Sequence, residues 1–171
     1  MGIADYKRLP DAVYADSDAD VFSDYAQRAL GISRSNIKTL TNEGAYRADM
    51  LSAIKRWLRG RIEEGETDVY VFYAGHGLAS PDGQDLYLLP YDGESDLLED
   101  TSLKRDELFE VIARARPRST TVFLDTCYSG VGRSEKTLLA SARPIILSPV
   151  RQAAPSGFTV FSAASGQQIS S

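Results

Sequence analysis

Residues 68–77 read DVYVFYAGHG, and this stretch decides the fold class. Residues 68–74 form a nearly unbroken run of β-branched and aromatic side chains, which is typical of a strand covered on both faces. Residues 120–124 (TTVFL) repeat this pattern and also run into a polar, glycine-containing segment. Two buried strands that end in this way indicate a parallel sheet within an α/β domain.

Amphipathic helices are predicted around these strands, because apolar residues recur with a period of about 3.6 in three segments. The segments are residues 16–30, 45–62 and 103–115, and Ser17 and Asp18 suit the start of the first. Shorter strand candidates are residues 37–40, 86–89, 145–147 and 158–161, and Met1–Ile3 reads as the tail of an apolar strand. The alternation of strands and helices predicts a three-layer α/β/α sandwich with a mainly parallel central sheet.

The composition is that of an ordinary globular domain. The chain has 171 residues, 43% apolar and 25% charged, and its net charge is −5. We find no repeat or composition break, so residues 1–171 are expected to form a single domain. The acidic balance does not support a nucleic-acid or anionic membrane surface. No apolar run approaches the roughly 18 residues of a membrane span, so a cytoplasmic protein is expected. Both ends look abrupt, and a fragment of a longer polypeptide is expected.

The only histidine and the only cysteine both follow predicted strands. His76 comes two residues after the first strand, and Cys127 follows the strand at residues 120–124. Ligands of parallel sheets bind beyond the carboxyl ends of the strands, so we expect both side chains at one edge. An imidazole can deprotonate a thiol, and the thiolate is a nucleophile. Taken singly, each residue is more often structural, as a hydrogen-bonded turn histidine or a buried thiol. A zinc site made of cysteine and histidine is excluded by their number.

The segments Tyr73-Ala74-Gly75-His76-Gly77 and Asp125-Thr126-Cys127-Tyr128-Ser129-Gly130 resemble the caspase-like cysteine peptidases of family C14. Within that family they are most similar to the metacaspase and bacterial orthocaspase branch. Residues 2–6 (GIADY), 18–19 (DA) and 86–92 (LYLLPYD) support the resemblance, which extends from about residue 2 to residue 165. The resemblance implies a caspase-like fold and a thiol endopeptidase that acts on peptides or proteins, as a monomer or as part of a larger multidomain protein.

The resemblance also implies roles for particular residues. Cys127 would be the nucleophile and His76 the acid and base, with an acyl-enzyme intermediate. The backbone amides of Gly77 and Cys127 would form the oxyanion hole. Asp18 and Asp125 match the acidic pocket that takes an arginine or lysine at P1, and a carboxylate pair is best tolerated when a cation neutralises it. Ordinary alternatives are helix capping for Asp18 and hydrogen bonds to loop amides for Asp125.

Three features depart from the metacaspase pattern. One is that the chain is expected to hold the large-subunit-like region and only the start of the small-subunit-like region, without its last strand and helices. Tyr128 stands where metacaspases usually have histidine. The segment 78–85 is short and lacks the acidic calcium loop of many metacaspases, and the acids that follow match no EF-hand spacing. The sequence therefore supports no metal site and no cofactor is expected, with calcium activation as the alternative that the family resemblance implies. Four basic residues after the cysteine are candidate self-cleavage sites, or they keep a surface loop soluble: Arg133, Lys136, Arg143 and Arg151.

Two alternative functions remain open on the sequence alone. Residues 127–134 fit the Cys-x5-Arg-Ser loop of cysteine phosphatases, although Thr126 replaces the usual histidine and Asp125 would repel a phosphate. That interpretation leaves His76 unexplained. The other alternative is a caspase-like interaction module without catalysis, and the presence of both His76 and Cys127 argues against it.

Overall fold

The computed structural model describes residues 1–126 and 154–163. Within these ranges the strands are β1 (Asp68–Ala74), β2 (Gly77–Ala79), β3 (Leu86–Leu88), β4 (Leu103–Lys104), β5 (Ser119–Asp125) and β6 (Phe158–Ser162). The α-helices are α1 (Ala15–Arg28), α2 (Arg47–Ser52), α3 (Leu98–Thr101) and α4 (Arg105–Arg114). A π-helical segment follows α2 at Ala53–Leu58, and short 3₁₀ helices lie at Arg34–Asn36, Asn42–Gly44, Arg59–Arg61 and Ser95–Leu97.

A parallel sheet in the order β1-β5-β6 forms the centre of the fold. Its strands match the predicted runs at residues 68–74, 120–124 and 158–161 closely. The chain start extends this sheet, because the Ile3 amide donates to the Ala74 carbonyl at 3.0 Å and Gly2 bridges both Ala74 and Thr41. The predicted strand tail at the chain start is therefore confirmed. Residues 37–40 contribute less than predicted, since only the Leu40 carbonyl accepts from Gly2.

Helices cover both faces of the parallel sheet, which confirms the three-layer α/β/α architecture. On one face, Phe22 of α1 stacks on Phe72 of β1 with 4.7 Å between ring centroids. On the other, Phe109 of α4 contacts Phe158 of β6 at 5.5 Å. Phe72 aligns through β5 with Phe161, and successive strand residues alternate between faces, so Phe158 and Phe161 point in opposite directions.

A second, antiparallel sheet in the order β2-β3-β4 follows β1 and was not predicted from the sequence. Its last strand corrects the predicted helix at residues 103–115. Leu103 pairs with Leu88, so its backbone is extended and α4 begins only at Arg105. A two-residue strand has too few side chains to show an alternating pattern, and its apolar leucine fits the helical period equally well.

The other helix boundaries also differ slightly from the prediction. α1 begins at Ala15, ahead of the predicted start at Ser17 and Asp18, after Tyr14 in a left-handed conformation (φ 74°). The helix predicted over residues 45–62 begins at Arg47 and widens into the π-helical segment. No helix among the described residues is both long and apolar enough to cross a membrane. The predicted strand at residues 145–147 lies outside the described residues.

A cavity of about 360 Å³ opens at the amino ends of the parallel strands, between α1 and the α2 region. Trp57, Asp68 and Phe72 are among the residues that line it, and His76 is not. Since His76 follows the carboxyl end of β1, the cavity lies at the other end of the sheet from the candidate site.

Candidate active site

The register of the parallel sheet brings the ends of β1 and β5 together. Ala74 pairs with Asp125, and the Gly75 amide donates to the Asp125 carbonyl at 3.3 Å. The chain therefore leaves both strands side by side, with His76 two residues beyond Ala74. Cys127 comes two residues after Asp125 in the sequence but lies outside the described residues, so its contact with His76 stays a prediction.

The His76 ring is oriented by a backbone carbonyl from a distant segment. Its Nε2 lies 2.7 Å from the Pro10 carbonyl oxygen. Because a carbonyl can only accept a hydrogen bond, Nε2 carries a proton, and in the neutral imidazole Nδ1 then holds the lone pair. Among residues 1–126 and 154–163, Nδ1 has no hydrogen-bond partner. The arrangement therefore presents a base whose acceptor nitrogen is defined.

Burial keeps this base uncharged. His76 is only 6% exposed, and this desolvation lowers the pKa of its imidazole below the ordinary value. The Pro10 carbonyl and the negative charge of Asp11 raise the pKa in part but do not reverse the shift. At neutral pH the imidazole is therefore neutral and able to accept a proton.

Two buried tyrosines hold the His76 backbone. The His76 amide donates to the Tyr6 hydroxyl at 2.7 Å, and the Tyr73 hydroxyl donates to the His76 carbonyl at 2.7 Å. The Leu89 amide donates to the same carbonyl at 3.1 Å. Burial raises the pKa of Tyr6 to about 12, so its hydroxyl stays protonated. Both backbone polar groups of His76 are thus satisfied inside the protein.

With glycine at position 75, the Tyr6 and Tyr73 hydroxyls can lie close to the backbone next to His76. Its φ of +146° lies in a region that side chains with a Cβ rarely adopt. A Cβ at this position would also lie 2.5 Å from the Tyr6 hydroxyl and 3.1 Å from the Tyr73 hydroxyl. The glycine before His76 is therefore required by both its conformation and its surroundings.

We expect Gly75→Ala to lower the free energy of unfolding by roughly 1–3 kcal/mol, since the methyl group adds backbone strain and displaces Tyr6. Urea denaturation measures the change. Gly60→Ala is the matched control, because nothing lies within 4 Å of a Cβ at Gly60 and its φ is not in the disfavoured range. Equal stability of the two variants would contradict the assignment.

The Gly77 amide points away from the hairpin that β2 forms with β3. In antiparallel pairs, hydrogen-bonded and non-hydrogen-bonded pairs alternate. The Leu89 amide donates to the His76 carbonyl, and the Ser80 amide donates to Asp85, so the pair Gly77–Leu88 is a non-hydrogen-bonded one. The Gly77 amide is thus directed toward the side opposite β3. Its role in an oxyanion hole stays a prediction.

The two predicted pocket residues lie on elements that meet the carboxyl edge of the sheet. Asp125 is the last residue of β5 and is half-buried. Asp18 is also half-buried and lies in the first turn of α1. This turn crosses the sheet directly over Gly2, where a Cβ would lie only 2.1 Å from the Ala15 carbonyl oxygen. The assignment of both residues to a P1 pocket stays a prediction.

Sequence reasoning missed the residues that hold His76 in place. Pro10 and Tyr6 lie in a segment that reads as a turn, and Tyr73 reads as an ordinary core residue. For Tyr6 the only signal was its presence in a motif that supports the family resemblance. For the Pro10 carbonyl there was none, because a backbone oxygen has no sequence signature.

Among the described residues, no group of three or more histidine, cysteine, aspartate or glutamate side chains could hold a metal ion. The expectation that no cofactor is needed stays a prediction. The candidate phosphatase loop at residues 127–134 and the candidate self-cleavage sites at Arg133, Lys136, Arg143 and Arg151 lie outside the described residues.

Comparison with known proteins identifies the family. A family model of the caspase domain, Peptidase_C14, matches residues 1–171. No curated protein matches the chain. The crystal structure of protein GSU0716 from Geobacter sulfurreducens is similar, with a TM-score of 0.60 and 22% identity over 75% of this chain. The match covers 49% of that protein, so the chain spans about half its length. At this identity the likeness shows the fold alone.

Proposed function

Because the chain belongs to the caspase-domain family of peptidases, we propose that it is a cysteine endopeptidase that cleaves after arginine or lysine. The observation that carries the proposal is the orientation of His76. Its Nε2 is bound to the Pro10 carbonyl at 2.7 Å, which leaves Nδ1 to act as the base. Because Ala74 and Asp125 are paired, the chain that leads to His76 starts beside the chain that leads to Cys127.

The chemistry begins with proton transfer from the Cys127 thiol to Nδ1 of His76. The thiolate attacks the scissile carbonyl carbon, and the carbonyl oxygen takes up the electron pair as an oxyanion. The oxyanion collapses and expels the amine, which receives the proton from Nδ1. Water, deprotonated by His76, then hydrolyses the acyl-enzyme and releases the thiol. Throughout the cycle the Pro10 carbonyl accepts the Nε2 proton and holds the ring in place.

Backbone amides would stabilise the oxyanion. The Gly77 amide suits this role because it points away from β3 and follows His76 directly in the chain. The Cys127 amide is the second donor by family resemblance. One well-placed donor is worth about 3 kcal/mol of transition-state stabilisation.

The preference for a basic P1 residue is supported by the acidic surroundings of the site. Asp125 ends β5 next to the strand that leads to His76, and Asp18 lies on the first turn of α1. Asp11 also lies close enough to His76 for its negative charge to raise the pKa of the imidazole in part. Carboxylates at the substrate site attract a cationic side chain. A carboxylate that accepts two hydrogen bonds from a guanidinium also fixes the position of the guanidinium.

The test compares fluorogenic peptides that differ only at P1, in a buffer that contains EDTA. We expect cleavage with arginine or lysine at P1 and none with aspartate. Alkylation of Cys127, the only thiol in the chain, should abolish the reaction. An aryl phosphate substrate tests the phosphatase alternative. Hydrolysis of the phosphate without peptide cleavage, or neither reaction, would refute the proposal.

A further inference from the structure

The Tyr6 hydroxyl occupies a position in the β2–β3 hairpin that a backbone bond would normally fill. The Leu89 amide donates to the His76 carbonyl, which marks these two residues as a hydrogen-bonded pair. In a regular antiparallel ladder the His76 amide would return the bond to the Leu89 carbonyl. It donates to the Tyr6 hydroxyl at 2.7 Å instead.

The Tyr6 hydroxyl lies between the His76 amide and the Leu89 carbonyl and bonds to both. The Tyr6 hydroxyl accepts from His76 and donates to the Leu89 carbonyl at 3.4 Å, and the Tyr73 hydroxyl approaches the same carbonyl at 2.9 Å. The polar groups of the interrupted pair are therefore still satisfied. The Tyr6 ring also packs against the imidazole, with 4.6 Å between centroids and 31° between planes. The insertion keeps the His76 backbone away from the position that a closed ladder would impose.

One segment of the chain holds His76 at two points. Tyr6 binds the His76 amide and Pro10 binds its Nε2, although both are more than 60 residues away in sequence. The segment is itself anchored, because the Lys7 amide donates to the Tyr91 carbonyl at 3.0 Å. A change at Tyr6 that shifts the His76 backbone would therefore also move the imidazole relative to the Pro10 carbonyl.

We infer that Tyr6 is a positioning residue: its hydroxyl keeps the His76 amide out of the hairpin ladder, so that the imidazole stays on the Pro10 carbonyl and Nδ1 stays the acceptor nitrogen of the ring. Without the hydroxyl, the His76 amide closes on the Leu89 carbonyl and draws the ring away from Pro10. The inference rests on the proposed function for its catalytic consequence. Its structural consequence can be measured without any activity.

The experiment uses Tyr6→Phe, which keeps the ring and removes only the hydroxyl. Since His76 is the only histidine in the chain, its ¹⁵N NMR signals are assigned without ambiguity. In the wild type we expect a single tautomer with the proton on Nε2. In Tyr6→Phe both nitrogen shifts should move toward the average of the two tautomers. We expect kcat for an arginine peptide to fall roughly 10- to 100-fold, because the base is misplaced, while KM changes less than about twofold.

Tyr87→Phe is the matched control. Tyr87 is also buried, at 4% exposed, and lies in β3. In the described part of the chain, His76 makes its hydrogen bonds with Tyr6, Tyr73, Leu89 and Pro10 and makes none with the Tyr87 hydroxyl. We expect this variant to keep the wild-type tautomer and kcat. If Tyr6→Phe does not fold, 3-fluorotyrosine at position 6 tests the same bond, because the fluorine weakens the hydroxyl as an acceptor and is only slightly larger than the hydrogen it replaces.

The outcomes separate the inference from the proposed function. If Tyr6→Phe keeps the wild-type ¹⁵N shifts and kcat and shows only a lower melting temperature, Tyr6 is not a positioning residue. The proposed peptidase function would be unaffected by that result. A wild-type protein that cleaves no peptide would overturn the proposed function, and the NMR shifts would still decide the role of Tyr6.

Discussion

His76→Ala is expected to lower kcat/KM for an arginine peptide by about a thousandfold or more, since the base and the leaving-group acid are lost together. Cys127→Ala should reduce it at least as much. Because the two side chains act as a unit, the double variant should be no slower than Cys127→Ala alone. Initial rates at substrate concentrations well below KM measure all three variants.

Two further measurements show whether the loss arises from the missing base. His76→Gln keeps an amide donor that can reach the Pro10 carbonyl but has no basic nitrogen, so it should be as inactive as His76→Ala. Free imidazole should restore part of the activity of His76→Ala, which has room for it, and none of the activity of His76→Gln. A His76→Ala variant that keeps activity within tenfold of the wild type would show that another group is the base.

Asp125→Asn is expected to lower kcat/KM for an arginine peptide by roughly a hundredfold, because the substrate guanidinium loses its charged partner on desolvation. For a peptide with citrulline at P1, which is a neutral isostere of arginine, the same variant should show a far smaller decrease in kcat/KM. The rate of alkylation of Cys127 should also change little, since the carboxylate is assigned to the substrate pocket and not to the activation of the thiol.

The matched control for the loss of one carboxylate is Asp68→Asn. Asp68 begins β1 at the opposite end of the sheet and pairs with Arg118 and Ser119, which lowers the pKa of its carboxyl to about 2. Its removal should leave the ratio of arginine to citrulline cleavage unchanged. If Asp125→Asn reduces alkylation and both peptide rates equally, the pocket assignment is wrong.

The long elements of the fold were predictable because each has its own periodic signal. The strands at residues 68–74 and 120–124 were located almost to the residue, and the helix at residues 16–30 was placed within two residues at either end. The strand at Leu103–Lys104 was assigned to a helix. Its conformation comes from pairing with β3, and two residues are too few to show a period.

For the candidate site too, some features could be predicted from the local sequence and others depend on tertiary contacts. His76 and Cys127 were found because each is the only residue of its type and follows a buried strand. The tautomer of His76 and the lowered pKa of its imidazole could not be predicted, since both depend on the Pro10 carbonyl and on burial. Neither feature leaves a mark in the local sequence.

The amino-acid sequence alone determined the class of fold, the family and the identity of the candidate nucleophile and base, because apolar period and residue type are local properties of the chain. Tertiary structure decided how the base is held. Tyr6 and Pro10 reach His76 from more than 60 residues away, through a hydroxyl and a backbone carbonyl. Such contacts depend on which strands become neighbours, and that choice is made by the packing of the whole domain.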